Sequence, residues 1–242
     1  MMSWLDHAKE LRDRLIKVCI AIFVGILIGF WAATFRDYWL VNALIVHFEP
    51  AGVQTLSPAE SFANIVKLAV GIGVAIGMPV IVYQLLAFIV PGLTRRERRI
   101  ILFILPFVML CFICGLIFGW FVTLPAAFRF FQNFGPASVE NKPSLELFLS
   151  LFTRLMLVNG ALFELPVIVY AVIWLGVIER KTLTRYRRYS ILIIVIIASV
   201  ITPTGDPVNL SFTAIPMYLL YELGLLLALI APRRRDTPTI TP

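Results

Sequence analysis

Residues 78–110 read MPVIVYQLLAFIVPGLTRRERRIILFILPFVML, two apolar stretches separated by one dense cluster of charge. An α-helix needs about 20 predominantly apolar residues to cross the hydrocarbon core of a bilayer. With its flanking sequence, each apolar stretch reaches that length, whereas the TRRERR segment between them is almost entirely charged. The stretch therefore predicts two membrane-spanning helices joined by a short, strongly basic loop.

The whole chain has the composition of an integral membrane protein. Of its 242 residues, 60% are hydrophobic and 14% are charged, and the mean hydropathy is +0.92. A soluble domain of this length cannot bury so much apolar surface. We predict an all-α membrane protein with six spans in a single domain over residues 1–232, followed by a disordered cytoplasmic tail at 233–242. The predicted spans are about 16–35, 65–90, 100–124, 149–177, 189–202 and 209–231.

Prolines and glycines refine this prediction. The last two spans are compact, so we expect two short C-terminal helices. Prolines inside spans predict kinked or locally broken helices; these are Pro79, Pro106, Pro166 and Pro216. Small-xxx-small pairs predict close helix packing; these are Gly25 with Gly29, Gly73 with Gly77, and Gly115 with Gly119.

The distribution of basic residues predicts the orientation. Most of the 21 lysines and arginines lie in four segments that alternate with the spans, namely 9–17, 95–99, 180–188 and 233–235. Loops rich in lysine and arginine stay on the cytoplasmic side, so both termini are predicted to be cytoplasmic. This distribution explains the net charge of +7 without nucleic acid as a partner. A cleavable signal peptide is disfavoured by the length of the first apolar run and by the acids scattered before it.

A few charged residues fall within or near the spans. Glu164 lies near the middle of the fourth span and Glu222 lies in the last one. An acid at such depth faces protein or a water-filled recess, and both a functional and a structural role stay open. Near the outer ends of spans, Lys67 with Glu60 and Arg154 with Glu146 have spacings that permit pairs on one helix face.

Two acids stand among the arginines of the predicted cytoplasmic face. HAKELRDRL (7–15) places Glu10 and Arg14 four residues apart, and PGLTRRERR (91–99) sets Glu97 among four arginines. A solvated helix end explains the arginines but not the acids. A carboxylate is the bidentate partner of a guanidinium, so Glu10 and Glu97 are candidates to hold an incoming pair of arginines.

At these residues the chain resembles the TatC family, the multispanning receptor components of the twin-arginine protein translocase. The resemblance covers about residues 4–230. Its landmarks, in order, are HAKELRDRL (7–15), MPVIVYQLLAFIVPGLTRRERR (78–99), FELPVIVY (163–170), the TP…D turn (202–206) and AIPMYLLYE (214–222).

The resemblance implies a function and a set of site residues. The function is binding of twin-arginine signal peptides and export of folded proteins across the inner membrane, driven by the proton-motive force. The implied partners are the single-span proteins TatA and TatB, further copies of the chain and the lipid bilayer. The implied signal-peptide site is Glu10, Glu97 and Phe88, to which we add the neighbouring Arg12 and Arg14. The resemblance also assigns Glu164 to an intramembrane partner contact and Asp206, with Pro203 beside it, to the outer turn, and we expect Glu222 to make a further intramembrane polar contact.

The sequence departs from the family on the outer side. Relatives often carry a proline near Asn42, which is lacking here, and the turn reads TPTGDP where TPPD is usual. These departures weaken the match at Asp206 and leave the cytoplasmic residues untouched.

The alternatives belong to other classes of protein. A secondary transporter with Glu164 as an intramembrane ion or proton site is the main one. An enzyme is not expected, because His7 and His47 both lie outside the predicted bilayer core. No catalytic residue, metal ligand or cofactor site is predicted.

Overall fold

The computed structural model of the chain describes residues 4–49, 52–55, 57–89, 95–133, 142–174, 178, 180–201 and 207–230. Within these ranges the chain is helical apart from short connections and one isolated bridge between Gln54 and Ser144. The helices are α1 (Trp4–Phe48), α2 (Pro58–Ile89), α3 (Arg95–Phe118), a π-helical turn (Gly119–Thr123), α4 (Leu124–Asn133), α5 (Leu145–Leu162), α6 (Leu165–Trp174), α7 (Arg180–Arg185), α8 (Arg187–Ile201) and α9 (Pro207–Ile230). The all-α prediction is confirmed for these residues.

Four helical stretches are long and apolar enough to cross a bilayer. They are Lys9–Phe48, Pro58–Leu85, Pro106–Gln132 and Leu145–Trp174, with 27 to 40 residues each. They coincide with the first four predicted spans. Each exceeds the requirement of about 20 residues.

The last two predicted spans differ from each other in length. Helix α8 has 15 residues, about 22 Å at 1.5 Å per residue, which is short of a hydrocarbon core of about 30 Å. Helix α9 has 24 residues, about 36 Å of helix, with a described apolar part at Thr213–Leu229. The described apolar part of α9 is thus shorter than the four long apolar helices, in line with the expected short C-terminal spans, and the count of six spans stays a prediction.

Helix α1 is interrupted where the sequence predicted an outer loop. Phe35 leaves the helical region, and Arg36, Asp37 and Tyr38 have φ values of 48°, 54° and 59°. Three consecutive non-glycine residues in the left-handed region are strained. The chain then returns to helix as far as Phe48, so most of the predicted outer loop is helical, because its apolar residues join the core.

Glycines bring α1 and α2 into close contact. A Cβ atom on Gly25 would lie 2.6 Å from the carbonyl oxygen of Gly73, and one on Gly77 would lie 3.2 Å from the Ile22 side chain. Only glycine at position 25 allows the two backbones to approach so closely. The predicted packing role is confirmed for the pairs Gly25 with Gly29 and Gly73 with Gly77.

The aromatic residues of the predicted outer side form much of the core around α1, α4 and α5. Phe48, Phe128, Phe148 and Phe152 are buried together with Leu124 and Leu149. The rings of Phe48 and Phe128 lie 5.4 Å apart, and those of Phe128 and Phe148 lie 5.2 Å apart. Phe48 also contacts Phe152, with ring centroids 6.3 Å apart, so the cluster joins segments more than 100 residues apart in the sequence.

An ion pair joins α2 to α5 near this core. Lys67 Nζ lies 2.6 Å from Glu146 Oε1, and both side chains are about half exposed. This contact joins one residue from each of the two pairs that the sequence spacing suggested, and the pairing of Lys67 with Glu60 on one helix face stays a prediction. An exposed pair of this kind contributes at most about 1 kcal/mol to stability.

The predicted breaks at prolines are found at one position. Helix α5 ends at Leu162 and α6 begins at Leu165, just before Pro166. Pro166 has no N–H to donate to the Leu162 carbonyl, and its ring clashes with that carbonyl. Pro79, Pro106 and Pro216 lie within continuous helices.

The chain forms two compact units, Met1–Ala161 and Leu162–Pro242. In the second unit, α8 and α9 pack through Ile194, Ala198, Met217, Tyr221 and Leu225. Gly224 of α9 lies against α6, where a Cβ atom would approach the Val169 Cβ to 2.8 Å. The expectation of one domain over residues 1–232 stays a prediction.

Candidate functional site

The predicted site at the start of α1 contains a three-residue polar cluster. Arg14 and Glu10 form an ion pair one helical turn apart, with Arg14 Nε donating to Glu10 Oε1 over 3.1 Å. Arg14 Nη1 also lies 3.4 Å from Gln84 Oε1 of α2. Both members of the ion pair are partly buried, with 21% and 28% of their side chains exposed. Arg14 therefore links the start of α1 to α2 and fixes the position of the Glu10 carboxylate.

The geometry leaves part of this carboxylate unoccupied by Arg14. Arg14 Nε and Nη2 both donate to Oε1 of Glu10. A carboxylate has about four acceptor positions on its two oxygens. Among the described contacts, Arg14 therefore occupies only one oxygen of Glu10.

Gln84 was not singled out by the sequence analysis. It is a buried amide in the apolar stretch MPVIVYQLLAF of α2. A buried amide needs hydrogen-bond partners, so a lone glutamine in an apolar span was the available signal. Its contact with Arg14 makes it part of the cluster.

The structure describes the side chains of two other predicted signal-peptide residues, Arg12 and Phe88, but not that of Glu97. Arg12 is exposed and pairs with its neighbour Asp13 at 2.8 Å, away from Glu10. Phe88 is half-buried near the end of α2. Glu97 lies on α3, but its side chain is outside the described part of the structure. The predicted pairing of Glu10 with Glu97 therefore stays a prediction.

Glu164 lies at the break between α5 and α6. Its side chain is 1% exposed, and neither carboxylate oxygen has a hydrogen-bond partner among the described residues. Its backbone carbonyl accepts the first bond of α6, from the Ile168 N–H at 2.9 Å. A buried acid without a partner costs several kcal/mol when ionised, so the site is chemically incomplete as it stands.

Glu222 has partners within the second unit. It accepts a hydrogen bond from Tyr218 at 2.9 Å and pairs with Arg187 at 2.8 Å. Tyr221, its neighbour, donates to the Leu183 carbonyl at 3.1 Å. These bonds hold α7, α8 and α9 together, which favours a structural role for Glu222.

Two predicted residues, Pro203 and Asp206, lie outside the described residues, as does the tail 233–242. Within the described ranges, no three His, Cys, Asp or Glu side chains form a group that could hold a metal ion.

Comparison with known proteins identifies the family. Residues 6–216 match the family model described as Sec-independent protein translocase protein (TatC). The chain belongs to the TatC family. It is 32% identical over 236 residues to TatC of Aquifex aeolicus, which covers 97% of this chain and 98% of that one. It is 34% identical over 244 residues to TatC of Koribacter versatilis, covering 97% and 88%.

Solved structures agree with this assignment. A crystal structure of the twin-arginine translocase receptor TatC is similar, with a TM-score of 0.77, 33% identity, and coverage of 94% of this chain and all of that one. A second, determined in the detergent DDM, has a TM-score of 0.78 at 33% identity. The chain is thus a TatC membrane protein of the protein translocase, and the resemblance noted from its motifs is confirmed.

Proposed function

We propose that this TatC chain binds twin-arginine signal peptides at the cytoplasmic membrane surface and forms the core of a translocase for folded proteins. Glu10 is the observation that carries the proposal. Its carboxylate is held by Arg14, which is itself anchored on Gln84. Glu97 on α3 is the second proposed acid, and Phe88 near the end of α2 is the proposed apolar contact.

Arginine is the ligand best suited to this arrangement. Its planar guanidinium donates two parallel hydrogen bonds to a carboxylate, which lysine cannot do. Arg14 already donates to one oxygen of Glu10. The guanidinium of the signal peptide must therefore approach the carboxylate from the side that Arg14 leaves open. Because the surrounding arginines repel other cationic segments, selectivity depends on this geometry.

The orientation follows from charge. The basic segments 9–17, 95–99, 180–188 and 233–235 belong on the cytoplasmic side of the inner membrane by the positive-inside rule. This places both termini and the Glu10 cluster where a signal peptide first meets the membrane. The hydrophobic part of the signal then enters the bilayer beside the apolar helices.

Glu164 is assigned to a later step. A buried acid without a partner in the described residues suits contact with a polar group of another membrane helix, such as TatA, TatB, a second copy of the chain or a deeply inserted signal. Proton-motive force drives transport in this proposal.

Site-specific photo-cross-linking tests the proposal. Probes replace residues 10, 97 and 164 in turn, and a probe at exposed position 146 serves as the control. A precursor with consecutive arginines should cross-link at positions 10 and 97, and its twin-lysine version should do so far less. Equal cross-linking of both precursors would refute the guanidinium argument, and no cross-link at either acid would refute the site itself.

A further inference from the structure

A second polar site lies where three apolar helices end together. It is a pocket of about 350 Å³ lined by residues that include Glu49, Phe128, Phe131, Gln132, Lys142 and Phe148. Pockets for small molecules span about 300–1,000 Å³, so this one suits a small group. The apolar stretches that surround it end at Phe48 and Gln132 and begin at Leu145. The pocket therefore lies at the depth of lipid head groups.

A buried carboxylate forms one wall of the pocket. Glu49 is 3% exposed and accepts a hydrogen bond from Gln132 Nε2 at 3.0 Å, while the same nitrogen lies 3.2 Å from the Phe48 carbonyl. Burial raises the pKa of Glu49, and the Gln132 bond only partly opposes this. A neutral amide does not compensate a buried negative charge, whereas a cation would.

The local helix geometry also favours a cation beside Glu49. The Glu49 N–H donates to the Ile45 carbonyl at 2.8 Å, so Glu49 stands at the C-terminal end of α1. Gln132 stands near the C-terminal end of α4. Helix C-termini carry partial negative charge, so two of them converge with the carboxylate.

Aromatic side chains line the pocket together with Glu49. Phe128, Phe131 and Phe148 line it, and the rings of Phe128 and Phe148 lie 5.2 Å apart. The face of an aromatic ring attracts an ammonium group within about 6 Å. Carboxylate and rings together form a site for an ammonium ion.

Other residues that line the pocket suit an anion. Lys142 lines it and is exposed. Helix α5 begins at Leu145, next to Ser144, whose Oγ accepts the Leu147 N–H at 3.2 Å. A lysine favours a phosphate group, and the start of α5 adds the partial positive charge of a helix N-terminus, while its Leu145, Leu147 and Phe148 N–H groups already donate to Gln54 and Ser144.

We propose that this pocket binds the head group of phosphatidylethanolamine. The primary ammonium donates hydrogen bonds to Glu49 among the phenylalanine rings, the phosphate lies toward Lys142 and the start of α5, and the acyl chains remain in the bilayer. A choline head group has the same charges but no N–H donor, so Glu49 disfavours it. This site is separate from the Glu10 cluster and does not depend on the proposed signal-peptide function.

Native mass spectrometry of the full-length protein tests this proposal. The protein is released from micelles that contain equal amounts of phosphatidylethanolamine, phosphatidylcholine and phosphatidylglycerol, and the retained lipids are counted. We expect several-fold retention of phosphatidylethanolamine over phosphatidylcholine. Glu49→Gln should abolish this preference. The matched control Glu146→Gln, outside the pocket, should preserve it.

One further variant and one competitor test which parts of the lipid and of the pocket account for binding. Phe131→Leu keeps an apolar side chain but removes the ring, and it should reduce the preference partially. Soluble phosphoethanolamine in excess should displace the retained lipid if the head group is what is recognised. Equal retention of the three lipids by the wild type, or an unchanged preference in folded Glu49→Gln, would overturn the proposal. Carbodiimide coupling of Glu49 to a lysine-containing partner segment, without lipid preference, would also overturn it.

Discussion

Glu10 shows how a single side chain in this protein is prepared for a ligand. Arg14 neutralises it and holds one of its oxygens, while Gln84 restrains Arg14. A carboxylate held in this way loses little further side-chain freedom on binding. The neighbouring Arg12 is directed to Asp13 and remains exposed, so the two arginines of HAKELRDRL have different environments.

Glu10→Gln should weaken binding of a twin-arginine peptide at least tenfold. Loss of a charge-assisted hydrogen bond costs about 1.5–3 kcal/mol, and about 1.4 kcal/mol corresponds to tenfold in affinity. Arg14→Gln should have a smaller effect. It removes the side chain that positions Glu10 but leaves the Glu10 carboxylate, which accepts the hydrogen bonds of the peptide's arginine. Isothermal titration of the purified protein with peptide measures both. Unchanged affinity in Glu10→Gln, with Glu146→Gln as the control, would exclude Glu10 from the site.

Glu49 predicts a dependence of stability on pH. Because burial raises its pKa in the folded protein above the ordinary 4.5, the folded state holds this proton more tightly than the unfolded state. Its contribution to the free energy of unfolding is therefore present below pH 4.5 and is lost as pH rises through the raised pKa.

Glu49→Gln, which stays neutral, should unfold at a higher temperature than the wild type at pH 8. The difference should shrink toward pH 4. Thermal unfolding in lipid-free detergent at several pH values measures it. A difference that is constant with pH would show that the Glu49 proton is not linked to folding.

At the scale of helices, the chain has three irregularities, two within the first unit and one at the start of the second. They are the left-handed residues 36–38 in α1, the π-helical turn at Gly119–Thr123 and the break at Phe163–Glu164. The last follows from Pro166, and the π-helical turn directly precedes Pro125, which has no N–H to donate to the Phe121 carbonyl. No proline lies at or directly after residues 36–38. Asn159, beside the π-helical turn, accepts from Thr123 at 3.1 Å and donates to the Leu155 carbonyl at 2.8 Å, which satisfies polar groups inside this unit.

Packing between α1 and α2 should be sensitive to the size of residue 25. Gly25→Val would place side-chain atoms against the Gly73 backbone, which cannot move without separating the helices. Overpacking of this kind costs about 1–3 kcal/mol. Thermal unfolding in detergent should show a clear loss of stability.

Gly77→Ala is the matched control for that variant. Its added Cβ approaches the Ile22 side chain to 3.2 Å and the Ile22 backbone to 3.6 Å, an ordinary contact distance, so its effect should be small. Equal stability of the two variants would argue against backbone contact as the reason for Gly25.

At the scale of the molecule, the chain divides between Ala161 and Leu162 into two compact units. The Glu10 cluster and the Glu49 pocket belong to the first unit, and Glu164 and the Glu222 network belong to the second. The proposed reception of the signal and the proposed later contact at Glu164 thus depend on different parts of the chain.

Glu164→Ala should therefore separate two steps of transport. Peptide binding at the cytoplasmic surface should stay within about twofold of the wild type, a change of about 0.4 kcal/mol. Later assembly with the single-span partners, measured by co-purification in the presence of precursor, should fall. Glu164→Gln, which retains a polar side chain of the same size, should fall less. Equal loss of peptide binding and assembly would contradict separate roles.

The sequence by itself determined the class of the protein, four of its long apolar helices, the break before Pro166 and the glycine contacts of α1 and α2. These properties are local, since hydrophobic length, the missing proline N–H and the absent glycine Cβ act wherever those residues occur. The motifs also identified the family.

Only the tertiary structure decided which distant groups meet. Gln84 reaches Arg14, Lys67 pairs with Glu146, and Gln132 joins Glu49 across 83 positions of sequence. Helix α1 turns through three left-handed residues because its second half packs into the aromatic core. Such contacts depend on how helices are arranged in space, and the pattern of residues along one helix does not specify its neighbour.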